Sequence, residues 1–217
     1  MKTSSKKRKP LLILVCGGTA GGKTTFANEL KDGLPKSLKV VSVCLDSFYK
    51  KSLADVKQNK THTNINFDHP QSFDWELAVS SIKQLLDRKP VIIPIYDYVI
   101  SARSKQTKTI TPGDVIIIEG IYALFNRELN ELATLKVFVD TPDDERFIRR
   151  FLRDKKERGR KDEDIIAQWR EVVQPMFKEF VEPQKAAAHI IVPWQKRNEV
   201  AINLVKAASK EITKKYK

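Results

Sequence analysis

The stretch VCGGTAGGKTTF, residues 15–26, decides the fold. Gly17, Gly22, Lys23 and Thr24 satisfy the spacing G-x-x-x-x-G-K-[ST]. The apolar run LLILVC (11–16) reads as the strand before it, and the segment from Thr24 to Leu34 as the helix after it. Glycines let such a turn wrap a phosphate chain with its backbone N–H groups pointing inward, and the helix N-terminus adds partial positive charge. The candidate phosphate-binding set is therefore Gly17, Gly18, Thr19, Ala20, Gly21, Gly22, Lys23, Thr24 and Thr25. Lys23 is suited to the β- and γ-phosphates of a nucleoside triphosphate, and the Thr24 hydroxyl to Mg²⁺.

Outward from this turn, apolar and β-branched runs recur at 38–44, 91–96, 114–120, 135–140 and 189–193. Most are continuous instead of alternating, the pattern of strands covered on both faces. A segment of helical period separates two of them: Trp75, Ala78, Ile82 and Leu85 form one stripe, widened by Val79 and Leu86. Alternating strands and helices predict an α/β fold with a mainly parallel sheet. Two short alternating runs, 93–99 and 107–111, predict an antiparallel β-hairpin insert over about residues 93–111.

Apolar residues make up 41% and charged residues 31% of the 217, which predicts a globular chain with a substantial core. Forty Lys and Arg against 27 Asp and Glu give a net charge of +13, which favours anionic partners without choosing among them. The N-terminal MKTSSKKRKP reads as a basic, disordered tail over residues 1–10, solvated or serving as a targeting signal; residues 11–217 read as a single domain. The apolar run after this tail is shorter than the ~7–15 residues of a secretion signal. No segment approaches the ~18 apolar residues of a membrane span. Cys16 and Cys44 each end an apolar run and read as buried thiols of a reducing compartment, so a cytoplasmic location and no membrane partner are expected.

An acid at the end of a strand beside the loop completes a metal site in such proteins. Glu119 in DVIIIEG is the candidate, against a plain strand-end surface acid. Asp46, directly after VVSVCL, is placed either to accept the proton of an incoming hydroxyl or to cap the turn it opens. Arg146, Arg150 and Arg153 share one helical face, and Gly159 lies between Arg158 and Arg160. Such a basic, glycine-hinged segment over about 150–168 suits a lid that neutralises phosphate charge and excludes water; for its early arginines a solvated basic helix is the alternative.

Taken together, GGTAGGKTT, DSFY (46–49), NFDHP (66–70), PIYDYV (94–99), IIIEGI (116–121), FVDTP (138–142) and RDKKERGR (153–160) resemble the uridine–cytidine kinase family of P-loop nucleoside kinases. The resemblance implies a P-loop NTPase-type parallel sheet of about five strands, flanked by helices and carrying the hairpin and lid. It implies transfer of the γ-phosphoryl of ATP or GTP, with Mg²⁺, to the 5′-hydroxyl of uridine or cytidine, giving UMP or CMP in pyrimidine salvage. Asp46 becomes the general base with Tyr49 nearby, and Lys23, Arg153 and Arg158 act on the phosphates. Asp68 and Arg150 take the ribose hydroxyls. Arg160 and Gln168 face the base, Phe67 and Tyr98 line its walls, and Tyr96 adds a polar contact. A homo-oligomer, tetramer or dimer, is implied as well; no stable nucleic-acid partner is expected, because the sequence holds no RNA-binding motif or interleaved aromatic stripe. Two departures stand out: Ser101 in YDYVISAR occupies the place of the family's base-contacting histidine, and Trp194 replaces an arginine. Ser101 keeps open a P-loop kinase for another small hydroxylated acceptor, and the basic charge a nucleotide-dependent RNA-associated protein.

Overall fold

A computed structural model describes residues 9–50, 66–98 and 102–215. β1 (Leu11–Gly17) runs into the turn that opens α1 (Lys23–Gly33), and β2 (Val40–Cys44) follows. α2 (Trp75–Leu86) precedes β3 (Val91–Asp97) and β4 (Ala102–Ile110). Then come β5 (Val115–Glu119), α3 (Arg127–Leu132), β6 (Leu135–Asp140), α4 (Asp143–Arg158) and α5 (Asp162–Gln168). A continuous helical stretch follows, in which α6 (Gln174–Met176) separates two π-helical turns; β7 (Ile190–Pro193) and α7 (Glu199–Lys215) complete the order.

Five strands form a parallel sheet in the order β2-β5-β1-β6-β7. β1, at its centre, is buried at all seven positions. Its even residues Leu12 and Leu14 join one core with Ile82, Tyr122 and Phe138; its odd residues Leu11, Ile13 and Val15 join the other with Phe26, Leu30 and Val205. Both pleat faces are thus covered, which is why the run reads as continuously apolar. Each such side chain contributes about 1.5–3 kcal/mol on burial. Helix starts follow local chemistry: Asp74 accepts from the Leu77 N–H at 3.1 Å to begin α2, and Asn126 does the same for α3 at Leu129.

The hairpin is antiparallel, as expected, but its second strand starts at Ala102, not Thr107. Ala102, Arg103 and Ser104 are half-buried and Lys105 to Thr109 are exposed and polar, so the strand carries no apolar alternation to read. The helical stretch after α5 holds Pro175, whose missing N–H a regular α-helix accommodates poorly, and π-turns flank it on both sides. Among the described residues, no helix is long and apolar enough to cross a membrane.

Candidate active site

The carboxyl ends of β1, β2 and β5 meet at one edge of the sheet, where ligands of open α/β folds bind. β5 lies between the other two and aligns Glu119 with Val15 on one side and Cys44 on the other. A cavity of about 760 Å³ opens there. Thr19, Ala20, Gly22, Lys23, Thr24 and Thr25 line one end of it; Asp46, Tyr49, Phe67, Asp68, Tyr96 and Tyr98 line the other. Glu119 also lines it, as do Arg150, Arg153 and Arg158 of α4, Arg160 of the turn that follows, and Gln168 of α5. Gly17, Gly18 and Gly21 do not border the cavity and support the loop from behind. Ser101 lies outside the described residues.

The loop is wound tightly. Gly22 has φ +85° and Ala20 φ +55°, both left-handed. The Gly18 carbonyl accepts from the Gly21 N–H at 3.1 Å and from Lys23 Nζ at 2.8 Å. A Cβ on Gly22 would fall 2.1 Å from the Trp194 indole nitrogen. Trp194 is itself buried, edge-on to Phe26 at 5.7 Å, so the departure noted in the sequence is a packing element beneath the loop. Gly22→Ala is therefore expected to lower the melting temperature by roughly 2–8 °C, since a non-glycine left-handed residue costs roughly 1–2 kcal/mol and a chain this size loses about 2–4 °C per kcal/mol. Thermal melts of the two proteins check it; an unchanged midpoint refutes it.

Thr24 donates its hydroxyl to Glu119 at 3.1 Å. Glu119 is buried, not the surface acid of the alternative reading, and burial pushes its carboxyl above the usual range, with Lys23 opposing the shift. A hydroxyl and a carboxylate suit a hard cation. Among the described residues no group of three or more His, Cys, Asp and Glu is placed to hold a metal.

Asp46 is the second residue of a 3₁₀ turn, Leu45–Phe48, that has no side-chain cap, and its carboxylate accepts instead from the Tyr98 hydroxyl at 2.8 Å. Tyr49, Phe67, Phe73 and Tyr96 pack ring on ring behind it, with centroids 4.2–6.1 Å from that of Tyr49. Arg103 pins this group by donating to the Tyr49 carbonyl and, at 3.1 Å, to Asp74. Enclosure raises the Asp68 carboxyl, with Arg150 opposing.

Arg150 donates to Thr19 in the loop at 3.1 Å and to Gln168 at 3.0 Å; Arg160 reaches the same Gln168 oxygen at 2.7 Å. The Arg158 guanidinium lies over the Tyr98 ring at 4.7 Å, and burial together with the neighbouring Arg153 lowers its proton affinity. Arg146 departs from both readings of its helix, since it is fully buried and does not line this cavity. Its guanidinium stacks 3.8 Å from the Phe177 centroid, pairs with Asp143, and fills the space that a Cβ on Gly18 would need.

Sequence reasoning missed two features. Trp194 and Arg149 border the loop end of the cavity, brought there by β7 and α4. Asp154 is fully buried among Arg150, Arg153, Arg158 and Arg160. Its i, i+4 spacing to Arg150 and Arg158 was the available signal.

A phosphate loop between the first strand and helix of a parallel sheet, facing a carboxylate and a basic cover, defines a P-loop phosphotransferase with a hydroxyl acceptor. The chain belongs to the phosphoribulokinase/uridine kinase family, whose model matches residues 12–201. It is 44% identical over 199 residues to the uridine kinase of Ureaplasma parvum serovar 3, covering 91% of this chain and 95% of that one. It is also 44% identical over 200 residues to the uridine kinase of Mycoplasma genitalium, covering 92% of each. A structure described as a candidate fructose transport system kinase from Silicibacter sp. TM1040 shares the fold, with a TM-score of 0.69 at 21% identity over 87% of this chain and 92% of its own.

Proposed function

We propose that the protein transfers the γ-phosphoryl group of ATP or GTP to the 5′-hydroxyl of uridine or cytidine, in the cytoplasm. The observation that carries this reading is the shared cavity, in which Asp46 and Lys23 face one space walled by aromatic rings and roofed by arginines. The uridine kinase relatives, alike over nearly the whole chain, favour a nucleoside over the other acceptors that Ser101 left open.

In this reading Asp46 accepts the 5′-hydroxyl proton, within a site that needs little covalent chemistry and much positioning. Lys23, Arg153 and Arg158 meet the charge spread over the phosphoryl oxygens. Asp68 and Arg150 hold the ribose diol; Arg150 exchanges its bonds to Thr19 and Gln168 for that contact. Phe67, Tyr96 and Tyr98 enclose the base. Arg160 keeps its bond to the Gln168 oxygen when Arg150 turns to the ribose, and so holds the amide with its N–H groups directed to a base carbonyl.

Thr24 and Glu119 would hold Mg²⁺, which when bound neutralises charge on the phosphates. Glu119→Gln is expected to raise the Mg²⁺ concentration for half-maximal rate by ~10–100-fold. It should cost no stability at neutral pH. The buried carboxyl binds its proton more tightly folded than unfolded, so it favours the folded state at low pH and loses that contribution as pH rises through the raised value. Thermal melts across pH and a Mg²⁺ titration check both halves; a variant that melts lower at neutral pH than the wild type contradicts the second.

Phosphoryl transfer from ATP and from GTP to a panel of nucleosides and other small alcohols tests the whole reading. UMP or CMP formation is expected. Uridine and cytidine both inert, with another acceptor turned over, would reject it.

A further inference from the structure

We infer that Asp154 is the positioning residue that organises the phosphate-facing arginines. Its carboxylate is fully buried near the end of α4 and does not line the active-site cavity, so it acts on that site only through its neighbours. Oδ1 is held by Arg153 at 2.8 Å and Arg158 at 3.1 Å. Oδ2 faces Arg150 Nε at 3.5 Å and Arg160 at 3.7 Å, close enough for charge but without a hydrogen bond. All four arginines border the cavity.

Charge and geometry then pull in opposite directions. Four guanidinium groups around one carboxylate leave a surplus of positive charge, and without that carboxylate they would repel one another apart. Two of them are tied to the rest of the site: Arg150 bonds Thr19 of the phosphate loop, and Arg158 lies over Tyr98, which donates to Asp46. One buried anion thus sets the spacing of the arginines between the phosphate cradle and the proposed base. Oδ1 locks Arg153 and Arg158, whereas the longer contact at Oδ2 aligns Arg150 by charge and leaves its NH groups to bond Thr19 and Gln168. The Asp154 backbone carbonyl separately accepts from the Gly159 and Arg160 N–H groups, so the helix end does not depend on the side chain.

The inference rests on the kinase reading above, and it makes a prediction that a merely structural residue would not. Asp154→Asn keeps the shape and removes the charge. A misplacement of about 1 Å costs on the order of 100-fold in rate, so kcat should fall about 100-fold. The KM for the triphosphate and the Kd for Mg²⁺-ADP and for inorganic tripolyphosphate should stay level or tighten, because the site has become more positive. Asp154→Glu, which restores the charge on a longer arm, should recover part of kcat. A kcat within about threefold of wild type in Asp154→Asn would overturn the inference. So would nucleotide binding that weakens in step with kcat and melting temperature in both variants. If Asp154→Asn does not fold, Asp154→Glu decides: lowered kcat at unchanged KM supports the role, wild-type kcat rejects it. The tripolyphosphate and ADP titrations need no acceptor, so a wild-type protein inert toward pyrimidine nucleosides would sink the acceptor assignment while leaving these measurements to judge Asp154.

Discussion

Asp46→Asn folds, melts with the wild type and binds nucleotide, yet loses ~10²–10⁴-fold in kcat, the range that general-base catalysis supplies. The substitution is isosteric and leaves the turn Leu45–Phe48 intact, because no side chain caps that turn. The Tyr98 hydroxyl, now 2.8 Å from a carboxylate oxygen, keeps an acceptor in the amide oxygen. On the proposed mechanism, what disappears is the ability to take a proton where the acceptor alcohol meets the phosphate cradle. Steady-state kinetics, a thermal melt and a nucleotide titration on one preparation separate these effects. A variant that retains more than about a tenth of the wild-type kcat removes Asp46 from the chemistry.

Lys23→Ala is the second large effect, and its signature differs. Lys23 is 9% exposed and its ammonium bonds the Gly18 carbonyl, so the same side chain closes the loop and faces the cavity. Its removal takes away a preorganised charge directed at the phosphates, and kcat/KM should fall by at least ~10²-fold. Binding of nucleotide weakens with it, in contrast to Asp46→Asn. There is a coupled consequence at Glu119, where Lys23 is the main charge opposing the effect of burial. Without it the Glu119 carboxyl rises further, and Mg²⁺ dependence moves to higher pH. Intact nucleotide binding in Lys23→Ala would contradict the assignment.

The local parts of the site were legible because their chemistry is dictated over a few residues. A left-handed turn demands Gly22, a strand leading into a helix frames the loop, and an acid directly after an apolar run stands out at Asp46 and Glu119. The single parallel sheet was legible from continuous apolar runs. What the chain does not announce is long-range placement. Trp194 touches Gly22 across 172 positions in sequence only because β7 joins the sheet beyond β6. Arg146 reads as a surface cation until Phe177 and Trp169 arrive to cover it. Asp154 looks like one acid diluted in a basic run, and only the packing of α4 against α5 turns it inward. The second hairpin strand is hidden for the opposite reason: with most of its side chains exposed, no periodicity marks it.

The strand order carries a further consequence. Since β5 is threaded between β1 and β2, the end that cradles phosphate and the end that presents Asp46 are held two ladder widths apart, about 9–10 Å. On the proposed reading, backbone hydrogen bonding in the sheet thus sets the spacing of the two segments between which the phosphoryl group passes. Mutational drift in the aromatic walls or the hairpin is free to retune which alcohol is admitted, while the ruler beneath stays the same length.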